Sequence, residues 1–259
     1  MAKRFLIVCI LVLASQGCAL LPGCDGASAG DPCTRILFIG NSYTYVNDLP
    51  ATFTQLASAG GHRVQTGMAA EGGWTLAQHA GSAATIDMLT HSAWDDVVLQ
   101  EQSELPAVEP SRSSVMYPAA RQLVALVRKA GATPIFFLTW GHRNGWPENG
   151  LPDYGSMQAQ LDSGYLSIAG ELGAPVAPVG VAWWTASRQA PLPDLWQSDG
   201  SHPTAQGTYL AACVFYALVF RQSPEGLGYL DDLPPDTAHA LQSIAAHTVL
   251  DNPGQWNLH

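Results

Sequence analysis

The stretch Ile36-Leu37-Phe38-Ile39-Gly40-Asn41-Ser42-Tyr43-Thr44 opens on four apolar residues and breaks at a glycine. A short apolar run closed by turn-forming residues predicts a strand near 35–40 that is buried on both faces and delivers Ser42 just past its end. Outward from it the pattern repeats. Apolar runs predict strands near 62–68, 95–100, 133–140 and 174–179, and helical patterns fall near 50–60, 114–131, 155–172, 203–221 and 236–250. Strands that alternate with helices build a parallel sheet covered on both faces, so the chain is expected to be α/β, a three-layer α/β/α sandwich. Open sheets of this kind place their sites outside the C-terminal ends of the strands, where Ser42 is expected.

Far downstream comes Asp199-Gly200-Ser201-His202-Pro203. A serine hydroxyl attacks poorly unless an imidazole takes its proton, and the imidazole needs a carboxylate to set its tautomer and steady its positive charge. The two segments together supply a nucleophile, a base and an orienting acid. Pro203 suits the first turn of a helix, which would make the Asp-x-x-His segment a loop held against a helix start.

In this order the two segments resemble the first and last motifs of the SGNH (GDSL-like) hydrolase superfamily. The resemblance covers most of the chain and implies a flavodoxin-like sheet of about five strands. It also implies a cofactor-free ester hydrolase with Ser42 as nucleophile, His202 as base and Asp199 as its partner. The family's Gly-Asp-Ser is here Gly40-Asn41-Ser42; the Asn41 side chain keeps hydrogen-bonding capacity without the charge and is expected at the substrate. Glu71-Gly72-Gly73-Trp74-Thr75-Leu76 stands where the family supplies an oxyanion-binding glycine, here Gly73 with Gly72 in reserve. The family's Gly-x-Asn-Asp is missing, and Val97-Val98-Leu99-Gln100-Glu101-Gln102-Ser103 fills its slot. A glutamine carries the same amide donors as asparagine, so Gln100 or Gln102 is expected to complete an oxyanion hole with the Ser42 and Gly73 amides.

Trp74, Trp140, Trp183, Trp184 and Trp196 all follow predicted strand ends and are expected to face or border the cleft, with His142 beside them. Flat indole faces suit a sugar ring, an acyl chain or an aromatic ester alike, which leaves the substrate open between a carbohydrate ester and other small esters. Two rivals stay open: a glycan-binding protein that kept the fold without turnover, and an O-acyltransferase using the same acyl-enzyme. The remaining histidines, His62, His79, His91, His239, His247 and His259, show no metal-ligand spacing, and no metal or other cofactor is expected.

Lys3 and Arg4 precede the apolar run Phe5 to Ala14, a basic segment and a core too short to span a bilayer, as in an export signal. Gly17-Cys18 and Gly23-Cys24 each put a small residue before a cysteine that could carry a lipid tether; Ala27-Ser28-Ala29 offers ordinary cleavage instead. The leader and a small-residue spacer are expected over 1–30 and one catalytic domain over 31–259, in the periplasm, on the outer membrane or outside the cell. Loss of Lys3 and Arg4 takes the formal charge from −10 to −12, which argues against a nucleic-acid partner. Cys24 and Cys33 are a candidate disulfide and Cys213 a core residue.

Overall fold

Strand β1 (Thr34–Gly40) sends alternate side chains to opposite faces: Ile36 and Phe38 enter one core, Leu37 and Ile39 the other, and all four are fully buried. That two-sided burial is what a central parallel strand requires. The computed structural model describes Cys24, residues 32–189, Leu192 and residues 194–258. The expected leader, Cys18 and the Ala27–Ala29 segment lie outside the described residues.

Around β1 stand β2 (Val64–Ala70), β3 (Asp96–Leu99), β4 (Thr133–Phe137) and β5 (Val176–Ala177), all parallel, in the order β2-β1-β3-β4-β5. The order reverses between β1 and β3, and a crevice forms outside the carboxyl ends of the strands at such a point. Register brings three loops together there. Gly40 pairs with Ala70 and Ile39 with Leu99, so β1, β2 and β3 end side by side and release Asn41, Glu71 and Gln100 into the same space.

The helices are α1 (Ser42–Tyr45), α2 (Leu49–Ala59), α3 (Leu76–Gly81), α4 (Ala83–His91), α5 (Tyr117–Lys129), α6 (Tyr154–Leu172), α7 (Val179–Ser187), α8 (Ala205–Phe220) and α9 (Pro235–Leu250). On one face, residues of α2, α7, α8 and α9 pack on Phe38 and Phe137; on the other, residues of α3 to α6 pack on Leu99 and Phe136. The expected three-layer sandwich is present. α8 carries an unbroken buried run from Gly207 to Leu218, the hallmark of a helix sunk between sheet and outer helices.

The structure departs from the sequence expectations in three places. The span near 174–179 is a strand of two residues, because Pro178 cannot extend the ladder and Val179 begins α7. The α3–α4 pair was not foreseen; it starts at Thr75, whose side chain and that of Gln78 cap the helix reciprocally. Pro203 lies before α8 rather than in its first turn, because the Thr204 hydroxyl takes the capping role by accepting the Gly207 N–H. Cys24 is bonded to Cys33, which ties the chain's entry to the start of β1, and Cys213 is buried in α8.

Candidate active site

Ser42 begins α1, directly after the turn that ends β1, and that turn is held from below. Gln100 Oε1 accepts the Asn41 N–H at 2.8 Å and the Thr44 hydroxyl at 3.0 Å, while Gln100 Nε2 donates to Asn41 Oδ1 at 2.9 Å and to the Glu101 carbonyl. The Asn41 side chain in turn donates to the Trp74 carbonyl at 3.0 Å and accepts the Tyr43 N–H. Gly40 is obligatory here: a Cβ would fall on Gln100 Oε1 and Thr44 Oγ1.

From the other side of the crevice the loop before α8 brings in its acid and base. His202 Nε2 lies 2.9 Å from Ser42 Oγ, and His202 Nδ1 lies 2.5 Å from Asp199 Oδ2. An ionised carboxylate only accepts, so Nδ1 carries the proton and Nε2 is left to accept the serine proton. Partial desolvation would raise the Asp199 pKa, but the Ser201 N–H, the imidazole and the His202 N–H all donate to its carboxylate and hold it down at about 2.

The cleft at Ser42, about 360 Å³, is bordered by Gly72, Gly73, Gln102, Ser103 and Tyr45. Gly73 has φ +72°, the left-handed region that favours glycine. Among the described residues the N–H groups of Ser42 and Gly73 meet no protein acceptor. Gln102 Oε1 is pinned by the Glu104 and Leu105 N–H groups at 2.8 and 3.0 Å, while its Nε2 has only long contacts to Ser103 and Glu104. Three donors with spare capacity thus stand around the serine.

The sequence-derived residues divide accordingly. Ser42, His202, Asp199, Gly73 and Gln102 come together. Gln100 does not face the cleft, because both amide protons and its oxygen are spent under the Asn41 turn. Asn41 reaches the cleft wall, but its side chain is committed to the same turn.

Trp140, Trp183 and Trp196 are buried behind the site instead of lining it. Tyr43, Trp140 and Trp183 stack in series at 4.5 and 3.9 Å, and Trp140 Nε1 donates to the Ser201 carbonyl at 2.9 Å. Trp196 Nε1 donates to the Gly141 carbonyl. These indoles buttress the loop that carries Asp199 and His202. Trp74 stacks edge-on against His79 below the Gly72-Gly73 turn, and Trp184 lies against Tyr154 and Arg188 in a separate surface pocket. His79, buried between the Gly40 carbonyl and Thr85, braces the end of β1 just before Ser42 from beneath.

His142 does border the site: its Nε2 is 3.4 Å from Ser103 Oγ, and burial lowers its pKa against the opposing pull of Glu104 and Asp199, with His202 adding to the lowering. The structure adds Tyr43, whose hydroxyl lies 2.7 Å from Ser201 Oγ and whose ring meets His202 edge-on at 5.8 Å. Nothing in the sequence separates Tyr43, Ser103 or Ser201 from ordinary loop residues; only adjacency to Ser42 and His202 marks two of them.

A protein of Slackia heliotrinireducens classed with the SGNH hydrolases is 30% identical to this chain, over 71% of this chain and 97% of that one, at a TM-score of 0.59. The chain belongs to the SGNH hydrolases. Two solved structures share the fold of this SGNH hydrolase at lower identity. A DUF4886 family protein from Bacteroides uniformis is 19% identical over 85% of this chain and 95% of that one, at a TM-score of 0.71. An acetylxylan esterase from Geobacillus stearothermophilus is 17% identical over 70% and 92%, at 0.53. No family model and no curated protein matches the sequence.

Proposed function

We propose that this SGNH hydrolase is an exported carboxylic ester hydrolase that works through an acyl-enzyme on Ser42. The observation that carries the reading is the unbroken line from Ser42 Oγ to His202 Nε2 at 2.9 Å and from His202 Nδ1 to Asp199 at 2.5 Å, at the mouth of an open cleft. Ser42 Oγ attacks the ester carbonyl carbon as its proton passes to His202 Nε2. The carbonyl oxygen becomes an oxyanion held by the Ser42 and Gly73 N–H groups and the Gln102 amide. On collapse, His202 returns the proton to the departing alkoxide, leaving an acyl-serine. Water then attacks that acyl-serine with His202 as base, releasing the acid and restoring the serine.

The cleft walls support a small acyl group on a hydroxylated alcohol, such as a carbohydrate. Ser103, Ser201 and Tyr45 offer hydroxyl partners there, with the His142 imidazole behind Ser103, whereas Trp140, Trp183 and Trp196 are buried and Trp74 and Trp184 line other pockets. The leader supports export. A Cys24 bonded to Cys33 has no thiol for a lipid, so a membrane tether, where one forms, belongs on Cys18.

Release of p-nitrophenol from the acetyl and butyryl esters by purified mature protein tests the reading. Ser42→Ala is expected to remove that activity while the melting temperature stays close to wild type, because the side chain sits at the cleft surface. A Ser42→Ala protein that keeps a substantial fraction of the wild-type rate takes Ser42 out of the reaction.

A further inference from the structure

Glu101 follows β3 between the two glutamines and is fully buried. Its Oε1 accepts two backbone N–H groups, from Leu76 at 3.0 Å and from Gln102 at 2.7 Å. Leu76 lies three residues beyond Gly73 and opens α3; Gln102 is the residue whose side-chain amide borders the cleft with only long contacts. One oxygen therefore joins the two segments from which the oxyanion donors project. The Glu101 backbone is fixed as well: its N–H donates to the Tyr165 hydroxyl on α6 at 3.1 Å and its carbonyl accepts from Gln100.

The second carboxyl oxygen, Oε2, is buried with no partner. Burial of a carboxyl with one oxygen unsatisfied costs stability. Departures of this kind from polar satisfaction gather at functional sites, and here the one engaged oxygen is the link between the two loops.

We propose that Glu101 is a positioning residue that sets the spacing between the Gly73 N–H and the Gln102 amide so that both meet one oxyanion. The proposal rests on the reading of Ser42 as nucleophile. Glu101 touches no substrate; it acts through the two loops it bridges, and its effect belongs to the stage at which charge develops on the carbonyl oxygen.

Steady-state kinetics on p-nitrophenyl acetate test this with four variants. Glu101→Ala is expected to lower kcat by about 10²-fold with KM changed by less than about twofold, the pattern of an interaction made in the transition state. Glu101→Gln keeps an oxygen for both N–H groups and is expected to restore kcat to within about threefold of wild type. Leu76→Pro removes one of the two donors, at a first helical position whose backbone accepts proline after a Thr75 in extended conformation at φ −102° and ψ 161°; it also removes a fully buried leucine side chain, so its kcat is read on protein whose circular dichroism matches wild type. It is expected to cost about tenfold in kcat, and it carries the test if Glu101→Ala fails to fold.

A folded Glu101→Ala with wild-type kcat, a change in KM alone, or a Glu101→Gln as impaired as the alanine variant overturns the proposal. Ser42→Ala separates the two readings. If it stays active, the nucleophile assignment fails; if it is dead while Glu101→Ala is fully active, only the role of Glu101 fails.

Discussion

Gln100 and Gln102 stand two apart just beyond β3, where a continued pleat would put both on one face, yet the loop turns them to different tasks. Gln100 points into the molecule and engages both its polar atoms on the turn around Ser42; Gln102 borders the cleft with its carbonyl anchored and its NH₂ group held only by long contacts to Ser103 and Glu104. Their substitutions are therefore expected to fail differently. Gln102→Ala should lower kcat by about 10²-fold, the part lost at the oxyanion, and cost about 1 kcal/mol in stability because the Glu104 and Leu105 N–H groups lose their acceptor. Gln100→Ala should cost roughly 2–4 kcal/mol in denaturant unfolding, because the Asn41 N–H and side chain and the Thr44 hydroxyl lose a buried partner together. A Gln102→Ala enzyme with full kcat would leave the oxyanion to the backbone amides alone.

Among the elements, the loop before α8 has the most to lose from small changes in its support. It carries Asp199 and His202 without regular structure of its own, and is held by the Asp199 carboxylate, by Trp140 and by the bridge of Trp196 to Pro203. Trp140→Phe keeps an aromatic ring between Tyr43 and Trp183 but removes the N–H to the Ser201 carbonyl and leaves a cavity where part of the buried indole was. The expected result is a loss of about 2 kcal/mol in stability, together with a several-fold fall in kcat as the His202 imidazole loses its fixed approach to Ser42. A fall in stability with no change in kcat would show that the loop holds its geometry without the indole. The turn after β1 is under a stricter constraint. Gly40→Ala puts a methyl group where Gln100 and Thr44 already sit, and both kcat and melting temperature are expected to drop.

For the molecule as a whole, the buried carboxyls set the pH dependence of stability. Desolvation is the largest influence on Glu101, pushed up to about 7 against the N–H donors of Gln102 and Leu76. Desolvation also leads at Asp96 and Asp162, each pushed up to about 6; Asp95 adds to the first shift and Arg221 opposes it, and the Gln158 amide opposes the second. Each of these groups holds more protons folded than unfolded between about pH 4 and its raised value, so folding loses stability as pH climbs through that interval. Asp199 acts with the opposite sign: its depressed pKa of about 2 contributes stability above the ordinary carboxylate range that is lost as pH falls through about 2. Its half-exposed position keeps that contribution small. Burial lowers His79 and His142, and these add stability as pH rises towards the ordinary histidine value. Thermal unfolding is therefore expected to be highest near pH 6 and lower by pH 8, where only the raised carboxyls still change and the formal charge of −10 adds self-repulsion. A melting temperature that rises from pH 6 to pH 8 contradicts this.

The sequence by itself determined the alternation of strands and helices, the parallel sheet, and the segments that carry Ser42, Gly73, Asp199 and His202. The strands, helices and sheet rest on local physics, apolar runs of strand length and helical periodicity; the site segments were legible because serine, histidine and aspartate chemistry is recognisable and because, with Gly73, they resemble the SGNH motifs in order. Only the tertiary structure decided which glutamine faces the cleft, that Trp140, Trp183 and Trp196 are props for the loop before α8, and that Tyr43, Ser201 and Glu101 belong to the site. Those outcomes depend on strand register and on the direction of side chains beyond the strand ends, where period-two alternation no longer applies and a one-residue difference turns a side chain from cleft to core. A buried indole and a cleft-lining one read alike in a chain of letters, and only the packing of α7 and α8 against the sheet tells them apart.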